Sequence, residues 1–260
     1  MRFELDITLL AVTAALAVRF GVLAATLPLL DRRSVPPLWR VVLAVGFAAA
    51  LAPGISRALP PGMASLAWPD LVMEAVRSLV VGALLGFTIN LVFTAVRYAG
   101  SIAGMQIGFA IVNSYDPMSN SQVSVISQLY YLLAVLLFFV TGAHQILVAA
   151  MYQSCLAVPP FTPGDPVGGA WFLMREFGTV FSLGLQIAAP IVIVLLLVSA
   201  SMGVIVKTVP QLNVLVVGFP IKIGVGLITL GLSLVFFREI TTSVMAGMQG
   251  RLADLLLAMK

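Results

Sequence analysis

The chain has few groups capable of covalent chemistry, and none stands at catalytic spacing from a partner. It contains one histidine, His144, and one cysteine, Cys155, with no HExxH, GxSxG or phosphate-loop sequence. A lone cysteine rules out an internal disulfide and any cysteine-based zinc site, so a packed or surface thiol is expected. His144 has no metal-ligating or triad neighbour in sequence, and a helix-packing role is expected for it. The carboxylates sit near the ends of apolar stretches or in the polar connections between them. The residues therefore predict no enzyme activity, no metal and no cofactor.

The most distinctive spacing lies instead in residues 97–128, RYAGSIAGMQIGFAIVNSYDPMSNSQVSVISQ. Gly100, Gly104 and Gly108 recur every fourth residue, which on a helix stacks three missing side chains on one face and invites close approach by another backbone. The helical pattern then stops. The run 113–121, NSYDPMSNS, forms turns, because Pro117 disfavours helical backbone at Asp116 and Asn, Asp and Ser side chains bond their own backbone. At membrane depth such a segment survives only inside protein or against a water-filled cavity. It is thus either an ordinary connection outside the bilayer or the lining of a passage.

The elements around it are apolar helices. Apolar residues make up 61% of the chain and charged residues 9%, a composition that defines an integral membrane protein. The net charge of +4 is scattered without a Lys/Arg cluster, so no nucleic-acid partner is expected. Residues 7–30 give a first, retained span with Arg19 at its centre, which must face protein or water rather than lipid. Residues 41–52 are short, and Pro53-Gly54 is expected to end or kink them. A confident helix covers 71–95, where Glu74 and Arg77 are spaced to pair and Gly82 and Gly86 add a second close-packing face.

Residues 123–151 read as one long helix, followed by a connector at 158–169 that holds four prolines and three glycines. Apolar segments at 177–206 and 214–237 follow, the first with a kink or break expected at Pro190 and the second interrupted by Pro220 and Lys222. In the tail Ile240, Val244, Met248, Leu252, Leu255 and Met259 fall at helical intervals, an amphipathic helix suited to a partner or an interface. Lys/Arg is nearly even between alternate loops, so the positive-inside rule assigns no orientation.

Two ordered blocks carry a resemblance that covers nearly the whole chain. Arg97, Ala99-Gly100, Gly104, Gln106, Gly108, Asp116-Pro117 and Ser119 resemble the signature of the FliR family of flagellar export-gate proteins and, more distantly, its injectisome counterpart SctT. Pro210-Gln211-Leu212-Asn213 with Gly218-Phe219-Pro220 is similar to that family's second signature. The family commonly has Gly-His where this chain has Gly142-Ala143-His144.

The resemblance implies an all-α polytopic membrane fold with kinked or broken helix hairpins, a FliP-like part over 1–170 and a FliQ-like hairpin over 171–260. It implies a single-copy subunit of the bacterial inner membrane at the flagellar basal body, assembled with FliP-like and FliQ-like subunits beside an FlhB-like protein. Such a gate passes unfolded flagellar subunits. It further implies that 109–124 plugs the channel, with Phe109, Ile111, Val112, Tyr115 and Met118 filling a constriction and Asn113, Asp116, Pro117, Ser119 and Asn120 tolerating water. Pro210, Gln211, Asn213, Gly218, Phe219, Pro220 and Lys222, together with Gln106, would form turn and assembly contacts, and Arg19 and Lys222 would meet neighbouring subunits. Read without the family, Pro210 to Pro220 is a helix-breaking turn. An injectisome subunit, and a polytopic solute transporter with midplane sites at its broken helices, are the competing readings.

Overall fold

The computed structural model describes residues 7–27, 36–58, 67–109, 124–162, 165–209, 211 and 213–260. Among them the chain is all helical: α1 Ile7–Thr26, α2 Pro37–Ala58, α3 Trp68–Ile107, α4 Val125–Val140, α5 Ala143–Ala157, α6 Pro166–Thr208, α7 Val214–Ala246 and α8 Met248–Ala258. Five helices are long and apolar enough to cross a membrane, and the bent α4/α5 pair makes a sixth if counted as one broken span. At 1.5 Å per residue, α3 (40 residues) and α6 (43 residues) are roughly 60 and 65 Å long, about twice a bilayer's hydrocarbon core.

Among the described residues no helix ends at its internal proline, and one unexpected break is present. Pro53 lies within α2, Pro190 within α6 and Pro220 within α7, and each helix continues through its proline. A proline removes one amide bond, yet in an apolar setting opening the whole turn would strand more backbone groups than it relieves. The segment read as one helix over 123–151 instead divides at Thr141-Gly142. Gly142 takes a left-handed φ of 73°, and Thr141 bonds the Leu137 carbonyl through both its amide and its hydroxyl at 2.8 Å.

By internal contacts the chain forms two compact units that interleave along the sequence: Met1–Leu91, Gly142–Phe177 and Ala246–Lys260 make the first, and Val92–Thr141 with Gly178–Met245 the second. In the first unit α1 packs along α2, whose Ala44, Ala48 and Ala52 are buried. The predicted face of α3 is used there as well: a Cβ at Gly82 would overlap the Arg19 carbonyl, and one at Gly86 the Thr26 hydroxyl. The tail does not keep its apolar stripe for a partner. Met248, Leu252, Leu255 and Met259 are buried, and α8 packs against α5.

In the second unit the core is aromatic and aliphatic. Phe93 meets Tyr131 and Phe138 at ring distances of 6.1 and 5.7 Å, and Tyr130 meets Phe237 at 4.8 Å. The outer surface of the α6/α7 hairpin stays apolar, with Leu197, Val204, Ile228, Leu232 and Phe236 all exposed.

Candidate functional site at the root of the central segment

Two of the three glycines in the 97–128 stretch do what their spacing predicts, and they do it against the helix that follows. A Cβ at Gly100 would lie 2.5 Å from the Ser127 Cα and 3.0 Å from the Ile126 carbonyl oxygen, so α3 and the first turn of α4 touch backbone to backbone. At Gly104 the neighbour is the Ser124 hydroxyl, which has no hydrogen-bond partner among the described residues. The Ser127 hydroxyl donates to the Arg97 carbonyl at 2.9 Å. The Arg97 guanidinium lies 4.0 Å from the centre of the Tyr131 ring, a cation–π contact that ties the two helices again. Replacing Arg97 with leucine should therefore loosen this root by about 0.5–2 kcal/mol, read as a lower melting midpoint of the purified protein. Arg97→Lys should recover part of the loss, because an ammonium keeps the charge but not the planar stack.

Gly108 plays a different part from the one its spacing suggests. It ends α3 rather than extending the packing face, with φ 106° and its amide shared between the Gly104 and Met105 carbonyls at 3.2 Å. The Phe109 amide also bonds the Gly104 carbonyl, at 3.0 Å, which closes the helix end. The signal was in the sequence, since a glycine just past a periodic apolar run marks a C-terminus.

The second sequence block arrives at the same place. A Cβ at Gly108 would be 3.5 Å from the Phe219 ring, and one at Gly226 would be 2.7 Å from Cγ1 of Ile107, the fully buried last residue of α3. Gly218 is buried in α7 and Pro220 is exposed on it; Lys222 is half-buried, with no ion pair among the described residues. Gln106 is half-buried on α3. Gln211 and Asn213 are exposed, and the Asn213 backbone carbonyl accepts the Val216 and Val217 amides at 3.1 and 3.2 Å, starting α7. Phe109 and Ser124 are the described flanks of the central segment. Ile111, Val112, Asn113, Tyr115, Asp116, Pro117, Met118, Ser119 and Asn120 lie outside the described residues, as does Pro210.

The polar residues of the first unit form a separate cluster, and here the structure corrects one expectation. Arg19 does not reach a neighbouring subunit, for it is completely buried. One nitrogen, Nη1, donates to the carbonyls of Ser154 at 3.0 Å and Val158 at 2.9 Å, at the C-terminus of α5. A guanidinium there answers the Val158 carbonyl, adds a second donor to the Ser154 carbonyl, which also takes the Val158 amide at 3.0 Å, and meets the negative end of the helix dipole. Glu74 is likewise buried. It accepts from Arg77 at 3.2 Å, as their spacing predicts, from the Ser78 hydroxyl at 2.9 Å and from the Phe161 amide at 2.7 Å. The proline-rich connector is thus pinned from two sides. Its end is fixed too, because the Asp165 amide bonds the Met259 carbonyl at 2.8 Å and the Asp165 carboxylate accepts the Val167 amide at 2.9 Å, starting α6. His144 sits half-buried in the first turn of α5.

A multi-pass helical chain with a close-packed helix pair flanking a polar segment, and a second sequence block seated against the end of that pair, matches a known class. The sequence pattern of the bacterial export proteins, family 1, fits residues 10–248, and the chain belongs to that family. Among its relatives are the flagellar biosynthetic protein FliR of Bacillus subtilis (strain 168), 33% identical over 219 residues and 82% of each chain, and that of Escherichia coli (strain K12), 31% identical over 209 residues, 79% of this chain and 77% of the other. Yop proteins translocation protein T of Yersinia pestis is 29% identical over 148 residues, 56% of this chain and 57% of its own. The chain is a flagellar export-gate component of the bacterial inner membrane, serving transport rather than enzyme catalysis.

Proposed function

We propose that the segment between α3 and α4 plugs the export channel, and that the chain does this as a single copy among FliP-like and FliQ-like subunits beside an FlhB-like protein. Unfolded flagellar subunits are the cargo. The observation that supports the reading is the locked root. Backbone contact at Gly100, the Ser127–Arg97 hydrogen bond and the Arg97–Tyr131 stack hold both flanks of the segment rigidly. A plug needs such anchoring, with weak and replaceable contacts along its own length so that it yields at a cost of a few kcal/mol. The composition of 109–124 supplies these, with apolar residues to close a constriction and Asn, Ser and Asp to tolerate water.

Residues 1–170 would form the FliP-like part and 171–260 the FliQ-like hairpin. The hairpin reading is supported by the short 209–213 connection between α6 and α7, although Trp171 already lies inside α6. Flagellar rather than injectisome service is supported by the longer and closer match to the flagellar relatives.

Deleting residues 113–120 should leave the protein in its complex and make the assembled gate leak ions or small solutes, a rise in membrane conductance readable in cells or reconstituted vesicles. Unchanged conductance with normal assembly would overturn the plug. Recovery of the tagged chain only together with small, very apolar partners would support the stoichiometric part; a stable lone chain that takes up a solute would reject it.

A further inference from the structure

We propose that α2 meets the hydrocarbon of the bilayer directly, and that tryptophans of the first unit mark the two edges of that layer. α2 turns only a narrow stripe inward, Ala44, Ala48, Ala52 and Ile55, and packs along α1. Around the rest of its circumference Val41, Val42, Leu43, Val45 and Ala49 are exposed. Its charges, Arg40 and Arg57, stand near its two ends, about 25 Å apart along the axis.

Close approaches fix the heights within the unit. A Cβ on Gly21 would lie 3.9 Å from that of Ala44, and an antiparallel run from this point lays the whole buried stripe of α2 onto α1. Gly82 meets the Arg19 carbonyl and Gly86 the Thr26 hydroxyl, so α3 runs in the direction of α1. Trp39 is therefore level with the end of α1, and Arg57 and Trp68 with its beginning, roughly 30 Å lower at the rise of a helix. A Cβ on Gly169 would be 2.8 Å from Cδ1 of Leu84, which sets Trp171 near the height of Trp39. These are all the tryptophans of the chain, and Trp39, Trp68 and Trp171 are 59%, 80% and 65% exposed.

Two levels of indole select lipid over protein as the cover. An indole prefers the boundary between hydrocarbon and water, and about 30 Å between two such boundaries is the thickness of one bilayer core. A protein partner needs no indoles at two fixed heights, and it would have to enclose α2 on nearly every side, which fluid acyl chains do at once. Charges between the two heights are withdrawn from this surface: Arg19 and Glu74 are buried, and Arg77 is paired with Glu74. The connector side differs. Pro166 shares a groove with Val76 and Val80, between the two heights, and the exposed Asp165 adjoins it, so that side is turned away from lipid.

The test uses the full-length chain in its assembled complex, reconstituted in lipid vesicles, with a nitroxide on single cysteines in a Cys155→Ala background. Collisions are measured with oxygen, which gathers in hydrocarbon, and with a water-soluble nickel chelate. A label on Ala49→Cys, midway between the two heights, should favour oxygen most strongly. The preference should fall along α2 in both directions and shift to nickel at Trp39→Cys and Arg57→Cys. A label on Pro166→Cys, at a similar height on the connector side, should show no preference for oxygen. If a variant at Trp39 or Arg57 fails to assemble, Ala49→Cys and Pro166→Cys carry the test unaided. Nickel access at Ala49, a label there shielded from both reagents by protein, or an equal oxygen preference at Ala49 and Pro166 would each overturn the assignment.

Discussion

An Arg19→Met chain should lose about 3–5 kcal/mol of stability, the sum of two charge-assisted hydrogen bonds of about 1.5–3 kcal/mol each. Methionine fills similar space and suits an apolar helix, so a purely hydrophobic account of α1 predicts little change. The structure predicts otherwise, because Nη1 holds the carbonyls of both Ser154 and Val158. The Val158 carbonyl would lose that donor at the end of α5, and the Ser154 carbonyl would keep only the Val158 amide. Arg19→Lys keeps the charge but reaches less of the fork, and a loss of about 1.5–3 kcal/mol is expected, that of one charge-assisted hydrogen bond. The measurement is the unfolding midpoint of the purified chain, with its steady-state level in membranes alongside. A methionine variant as stable as wild type would remove Arg19 from the framework of the first unit.

The glycines of α3 should separate into three classes under alanine substitution, though their spacing makes them look alike. Gly100→Ala faces the Ser127 Cα and amide nitrogen and the Ile126 carbonyl, all of them backbone, so nothing flexible can step aside. Overpacking of that kind costs about 1–3 kcal/mol, and Gly100→Val, with its branched side chain, should reach the top of that range and abolish recovery of folded protein. Gly104→Ala meets a serine hydroxyl with no hydrogen bond to lose among the described residues, so the rotamer shifts and the cost stays under about 1 kcal/mol. Ser124→Ala should erase even that. Gly108→Ala suffers from backbone strain rather than crowding, since φ 106° is open to glycine and costs other residues about 1–3 kcal/mol. Gly178, with nothing within 4 Å of its missing Cβ, is the control: alanine there should be neutral or mildly stabilising. Equal penalties at Gly100 and Gly104 would show that the backbone contact has been misassigned.

Those three glycines also show where sequence reasoning reached and where it stopped. A four-residue period identifies a face, and the face exists at Gly100 and Gly104. Period alone does not distinguish the last member of a stripe from the residue that terminates the helix, which is what Gly108 became. Arg19 was placed inside protein by the price of a central charge in lipid, but its partners are main-chain carbonyls, and these have no sequence signature. At Pro53, Pro190 and Pro220 the sequence allows a kink or an interruption, and the helix continues through each. Each carries a known local penalty, yet long apolar helices with neighbours to rest on absorb it. Thr141-Gly142 passed unnoticed because a two-residue break leaves the hydrophobic pattern on either side intact. The tail's amphipathic period was readable; that α5 covers its stripe was not, because periodicity names a face and not its occupant.

The lengths of α3 and α6 have a consequence for how the cell must handle this chain. A helix with a contour of about 60–65 Å has about twice the length that a slab of about 30 Å covers, and its apolar remainder has to be sheathed by protein or wetted. Tilt shortens the excess only modestly. Newly made copies stranded without companions would therefore be sticky and short-lived, and synthesis in step with the proteins that sheathe them would limit the exposure. Raising the dose of this one gene product should fill the quality-control proteases rather than the membrane.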